Sequence, residues 1–131
     1  MNPVAPVSIA IVDDHELFRK ALKYVLGQWG YHVKMQAANG KKLIEQLTDD
    51  NLPDICIMDV IMPEMNGYET IKQLKAKWPG IKVVIYSMRI DAGVKRIPLL
   101  GSDSSVSKQA DISELQYTLA QLIQNMQKGA V

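Results

Sequence analysis

Residues 53–67 read PDICIMDVIMPEMNG, and they set a single carboxylate, Asp59, directly after an almost wholly apolar run and before a turn. Ile55, Cys56, Ile57 and Met58 show no alternation of polar and apolar positions, the pattern of a strand buried on both faces of a parallel sheet. An unpaired carboxylate within such a strand would be strongly unfavourable, so the sequence places Asp59 at the strand's exposed C-terminal tip. Pro63 has no N–H for a sheet ladder and ends the strand, and Asn66-Gly67 signals a turn or helix start before the amphipathic stretch 68–77. Alone, the stretch reads equally well as a strand-ending aspartate capping a turn; the flanking sequence decides.

Towards the N-terminus, residues 8–12 (SIAIV) form a short β-branched run that leads straight into Asp13-Asp14. Phe18, Leu22, Val25, Leu26 and Trp29 then recur on one side of a predicted helix, which Gly30 closes. Residues 32–38 predict a second strand, and Asn39-Gly40 opens a short helix carrying Leu43, Ile44 and Leu47. Towards the C-terminus, the helix after Gly67 ends at Trp78-Pro79-Gly80 and residues 82–86 (KVVIY) predict a strand tipped by Ser87. Residues 91–100 predict a helix by rhythm, weakened by Gly93 and Pro98. Residues 104–107 (SSVS) are a thin strand, with only Val106 favouring a pleated site, and Lys108 follows. Leu115, Leu119, Leu122, Ile123 and Met126 mark a final amphipathic helix.

Strands alternating with helices imply right-handed crossovers and a parallel sheet covered on both faces. The predicted architecture is an α/β, flavodoxin-like, doubly wound (βα)5 fold with a five-stranded parallel sheet in the order 2-1-3-4-5. At 131 residues, 47% hydrophobic and 22% charged, the chain fits one domain, with a core over about residues 8–126 and a linker beginning at 127–131. A formal net charge of +1 with interspersed signs gives no basic stripe for nucleic acid. The lone cysteine, Cys56, precludes an internal disulfide and reads as a small buried hydrophobe in a reducing cytoplasm. No apolar run reaches transmembrane length and residues 1–8 lack a signal-peptide pattern, so a cytoplasmic, membrane-free protein is expected.

In such a sheet the functional crevice lies beyond the C-terminal strand ends, where Asp13, Asp14, Asp59, Ser87 and Lys108 all fall. Three converging carboxylates call for a cation, and few protein oxygens with open positions suit Mg²⁺. Lys108 supplies a compact positive charge for an anionic oxygen, and Ser87 a hydroxyl. Together they describe a site for in-line phosphoryl transfer to Asp59, where positioning and charge neutralisation do most of the catalysis.

Asp13-Asp14 after the first strand, MDVIMPEMNG around Asp59, Ser87 after the fourth strand and Lys108 after the fifth resemble the receiver domain of two-component response regulators, over residues 8–126. VDDHELFRKAL and VVIYSM look most like receivers that precede a LuxR-type helix-turn-helix output domain, for which the residues up to Val131 leave no room. The resemblance implies that Asp59 is the phosphoacceptor and that Asp14 and Asp59 are direct Mg²⁺ ligands. It makes Asp13 a ligand through water, the Ile61 main-chain carbonyl a third protein ligand, and Ser87 and Lys108 the groups that bind phosphoryl oxygens. It also implies a sensor histidine kinase or phosphotransfer protein as partner, and a homodimer as one form of output. The domain would then promote its own phosphorylation and slow dephosphorylation without being an enzyme in the usual sense.

Some positions depart from that family. Ser105 stands where an aromatic switch residue is usual, Ser104 replaces the glycine before it, Gln109 follows the lysine, and Pro98 interrupts a helix of the signalling face. Atypical switching is expected, and the apolar Ile61 is expected to hinder an attacking water. Individually these residues have plainer roles: Asp14 as a cap for the first helix, Ser87 as a strand-end hydroxyl, Lys108 as a surface lysine. His15 reads as a surface residue near the pocket mouth without a partner at metal-ligand spacing, and Tyr86 is left undecided between core and surface. A flavin module would need a Gly, Ser and Thr-rich first loop rather than Asp-Asp, and a dehalogenase-type phosphatase an Asp-x-Asp. The stronger competitor is a receiver-like module that binds partners regardless of phosphate.

Overall fold

A computed structural model describes residues 6–60, 66–88 and 101–129. Its elements run β1 (Ser8–Val12), α1 (Glu16–Gln28), β2 (His32–Ala37), α2 (Gly40–Gln46), β3 (Ile55–Met58), α3 (Gly67–Lys77), β4 (Lys82–Ser87), β5 (Ser104–Ser107) and α4 (Ile112–Gly129). The helix expected over residues 91–100 lies outside the described residues, as do Ile61 and Pro63.

The five strands form one parallel sheet in the order β2-β1-β3-β4-β5, as the alternation of elements predicts. Alternate residues of each strand feed two cores. On one face Ala10, Val12, Cys56, Met58, Val83 and Ile85 pack with Leu43 of α2 and Ile71 and Leu74 of α3. On the other, Ile9, Ile11, Ile55, Ile57, Val84, Tyr86 and Val106 pack with Leu22 and Leu26 of α1 and Leu115 and Leu119 of α4. This double burial explains why β1, β3 and β4 read as unbroken apolar runs.

Helix ends follow local chemistry. Asn39 caps α2 by accepting from the Lys42 N–H at 2.9 Å, and Asn66 caps α3 by accepting from the Glu69 N–H at 3.0 Å. After α1 the chain turns through Gly30 at φ 92°, a left-handed conformation that glycine adopts without Cβ strain.

At the edge where the strands begin, Asp103 ties three segments together. Its carboxylate accepts from Lys75 Nζ at 2.7 Å and from the Val83 N–H at 2.8 Å, with Lys82 Nζ at 4.0 Å. Lys75 also donates to the Ile81 carbonyl at 2.9 Å. At this same edge Trp78, at the C-terminus of α3, donates its indole N–H to Asp49 at 2.8 Å. Among the described residues no helix is long and apolar enough to cross a membrane.

Candidate functional site

The opposite edge, where the strands end, is assembled by the sheet ladder itself. Asp13 N–H donates to the Ala37 carbonyl, Asp59 N–H to Val12 and Lys108 N–H to Ser87, each at 3.0 Å. Each tip residue is thereby pinned to a neighbouring strand, and four residues distant in sequence converge on one point.

Asp59 is indeed at the tip of β3, but it is buried rather than exposed, with 8% of its surface accessible. Its burial is tolerated because both carboxylate oxygens accept hydrogen bonds: Oδ1 from Ser87 Oγ at 3.0 Å and Oδ2 from Lys108 Nζ at 3.0 Å. The same ammonium donates to Asp13 Oδ2 at 2.5 Å. Lys108 therefore bridges two carboxylates instead of standing apart from them. Burial acts to lower its pKa, but the hydrogen bonds and charges of Asp13 and Asp59 prevail and hold it above the ordinary lysine value.

Gly67 lets α3 start against this tip. A Cβ there would lie 2.6 Å from the Asp59 carbonyl oxygen and 2.6 Å from Val60 Cα, and the Gly67 N–H donates to the Val60 carbonyl at 2.9 Å.

Asp13 is buried, while Asp14 lies at the mouth with its side chain 35% exposed. Asp14 does not cap α1: the N-cap is His15, and it makes no side-chain cap bond. Asp13 Oδ1 accepts instead from the His15 N–H at 2.9 Å. The exposed His15 ring sets Nδ1 at 3.4 Å from Asp13 and 3.3 Å from Asp14, a closeness the sequence reading missed because it sought partners at longer spacing. Arg19 donates to the Asp13 main-chain carbonyl at 2.5 Å.

Ligand atoms of Asp13, Asp14 and His15 all lie within 4.8 Å of one another. With three carboxylates at the strand tips against two cations, Lys108 and Arg19, the donor set is oxygen-rich and acid-dominated, which fits a hard divalent ion. Asp13 and Asp14 are the groups that would hold it.

Two aromatic residues complete the surroundings. Lys108 Nζ lies 4.1 Å from the centroid of the Phe18 ring, which meets Tyr86 at 5.8 Å between centroids and 46° between planes. Tyr86 is buried, which resolves the choice the sequence left open, and burial pushes its phenol pKa up, with the Lys108 charge opposing. Phe18 was legible only as a member of a helical stripe. The β4 alternation that aligns Tyr86 with Val84 was the available signal for its inward face. Ser105 lies on β5 beside Ile85, half-buried, on the other face of the sheet from Val106.

A doubly wound parallel sheet with an acid pair, a lysine-bound aspartate and a hydroxyl at its strand tips defines a phosphoryl-accepting signalling site. Residues 9–120 match the response regulator receiver domain family, and the chain belongs to it. It is 31% identical over 111 residues to the transcriptional regulatory protein DegU of Brevibacillus brevis, covering 83% of this chain and 47% of DegU. It is 38% identical over 79 residues to the chemotaxis protein CheY of Thermotoga maritima, covering 60% of this chain and 65% of CheY. The chain thus spans under two thirds of these curated relatives. A crystal structure of a LuxR-family two-component response regulator from Aurantimonas sp. SI85-9A1 superposes with a TM-score of 0.83 at 24% identity, covering 92% of this chain and 87% of that one. That likeness bears on the fold.

Proposed function

We propose that Asp59 is the phosphoacceptor of this receiver domain, taking a phosphoryl group from a sensor histidine kinase or phosphotransfer protein. The observation that carries this reading is the Asp59 carboxylate held between Ser87 Oγ and Lys108 Nζ, each at 3.0 Å. One Asp59 oxygen attacks phosphorus as the donor's P–N bond breaks, and the electron pair of that bond leaves with the donor imidazole. Ser87 and Lys108 then turn from the carboxylate to the phosphoryl oxygens, whose added charge they stabilise.

Asp14, Asp59 and the Ile61 carbonyl would bind Mg²⁺ directly and Asp13 through water; the ion would supply further charge neutralisation. Asp13 also keeps Lys108 in place. The proposed core covers about residues 8–126, with 127–131 as the start of a linker. A LuxR-type DNA-binding domain, or association of two receivers, is the output proposed, in a cytoplasmic setting. Ser105 at the usual aromatic position makes the switch atypical, and Ile61 slows loss of the phosphate.

The test is intact mass spectrometry after incubation with acetyl phosphate and Mg²⁺. One phosphoryl group is expected on the wild type and none on Asp59→Asn or in chelator. No labelling of the wild type at any time, with no Mg²⁺ binding, would leave a phosphate-independent interaction module.

A further inference from the structure

We propose that Phe18 is a positioning residue for the acceptor site: its ring, packed against Tyr86, holds the Lys108 ammonium where it reaches Asp59 and an incoming phosphoryl group. The inference rests on the reading of Asp59 as phosphoacceptor and extends it to the first turns of α1.

Lys108 has three N–H donors, and the carboxylates of Asp13 and Asp59 take bonds from them at 2.5 and 3.0 Å. The Phe18 ring lies against the same ammonium, 4.1 Å from its centroid. An aromatic face attracts a cation through its quadrupole, most strongly where water is excluded, and the Lys108 side chain is only 9% exposed. Unlike a third carboxylate, the ring offers no oxygen to compete with a phosphoryl group. It therefore restrains the ammonium without pairing it.

Tyr86 packs against the ring, 5.8 Å between centroids and tilted by 46°, and it directly precedes Ser87, the other donor to Asp59. One aromatic pair thus touches one phosphate-binding group and adjoins the other in sequence. It sits on the face of the sheet packed by α1 and α4, across from Ser105. When Lys108 follows a new phosphoryl oxygen, the group it slides over belongs to α1.

The test replaces Phe18 with phenylalanines of increasing ring fluorination, which drain the ring face while scarcely changing its volume, alongside Phe18→Tyr and Phe18→Leu. With acetyl phosphate and Mg²⁺, the Asp59 labelling rate is expected to fall stepwise with fluorination, to about fivefold below wild type in the most fluorinated form and in Phe18→Leu. Phe18→Tyr keeps the wild-type rate, and Mg²⁺ affinity stays level through the fluorinated series. A flat rate across that series overturns the proposal. The Lys108 ε-methylene proton shifts, read without phosphate donor, judge the contact separately. An upfield ring-current shift lost in Phe18→Leu supports it, and ordinary lysine shifts in the wild type overturn it. Failure of every chain to label, with the ring-current shift present, refutes the acceptor reading and with it the phosphoryl role given to Phe18, while leaving the contact established.

Discussion

The two edges of the sheet each carry a cluster of lysine and aspartate, in opposite proportions. Where the strands begin, one carboxylate, Asp103, faces two ammoniums, and the bonds run largely to main-chain groups at Val83 and Ile81. Where the strands end, one ammonium, Lys108, is divided between Asp13 and Asp59, and the bonds run between side chains. The first cluster is spent on the backbone and fastens α3, β4 and the start of β5. The second leaves carboxylates in excess, and its partners can be exchanged without unfastening a strand. Ion pairs of similar length thus serve as a clasp at one edge and as a rearrangeable site at the other.

Removing Lys108 should have the largest effect. Lys108→Met leaves two buried carboxylates without their shared cation, and about 3 kcal/mol of stability should be lost in chelator at neutral pH. Neutral pH lies within the window where the pair contributes fully, because the raised pKa of Lys108 defers loss of its charge to pH above the ordinary lysine range. Urea unfolding measures this, and added Mg²⁺ should recover part of it. A loss below about 1 kcal/mol would place the pair with exposed ion pairs of little consequence.

Gly67→Ala comes next. Its Cβ would press on the Asp59 and Val60 backbone, costing about 2 kcal/mol and slowing Asp59 labelling. At Gly80, near the other edge, an added methyl would have nothing within 4 Å, so Gly80→Ala should stay within about 0.5 kcal/mol of wild type. Similar losses for the two glycines would contradict the close approach described for α3.

Asp103→Ala strands the Val83 N–H and should cost about 2 kcal/mol while leaving Mg²⁺-dependent labelling unchanged. Slower labelling would mean that the clasp and the site are one system. Cys56, midway between the edges on β3, gives no signal at neutral pH and reports only in alkali. Burial pushes its thiol up to about 12, with the charge of Lys75 opposing. The unfolded chain releases this proton first, so stability should fall by up to about 1.4 kcal/mol per pH unit between the ordinary thiol range and 12. Cys56→Ala should lack that component in alkaline urea titrations.

The strands could be read from the sequence because burial on both faces removes polar residues from them, and the site could be read because its residues end those strands. SSVS is a strand chiefly through its pairing with β4, and rhythm rather than propensity revealed it. The burial of Asp59 was not legible: it depends on Lys108, 49 residues away, closing over the tip. Periodicity likewise turned Phe18 inward without naming the ammonium it would meet. Local pattern gives direction, whereas the partner is set by how distant elements dock.

Trp29 and Trp78 follow α1 and α3 immediately, at the edge where the strands begin. The molecule's indole emission therefore originates away from the acceptor carboxylate. Tryptophan fluorescence should follow denaturation cleanly while staying nearly silent to Mg²⁺ and phosphate, so the two kinds of titration can be separated optically in unlabelled protein.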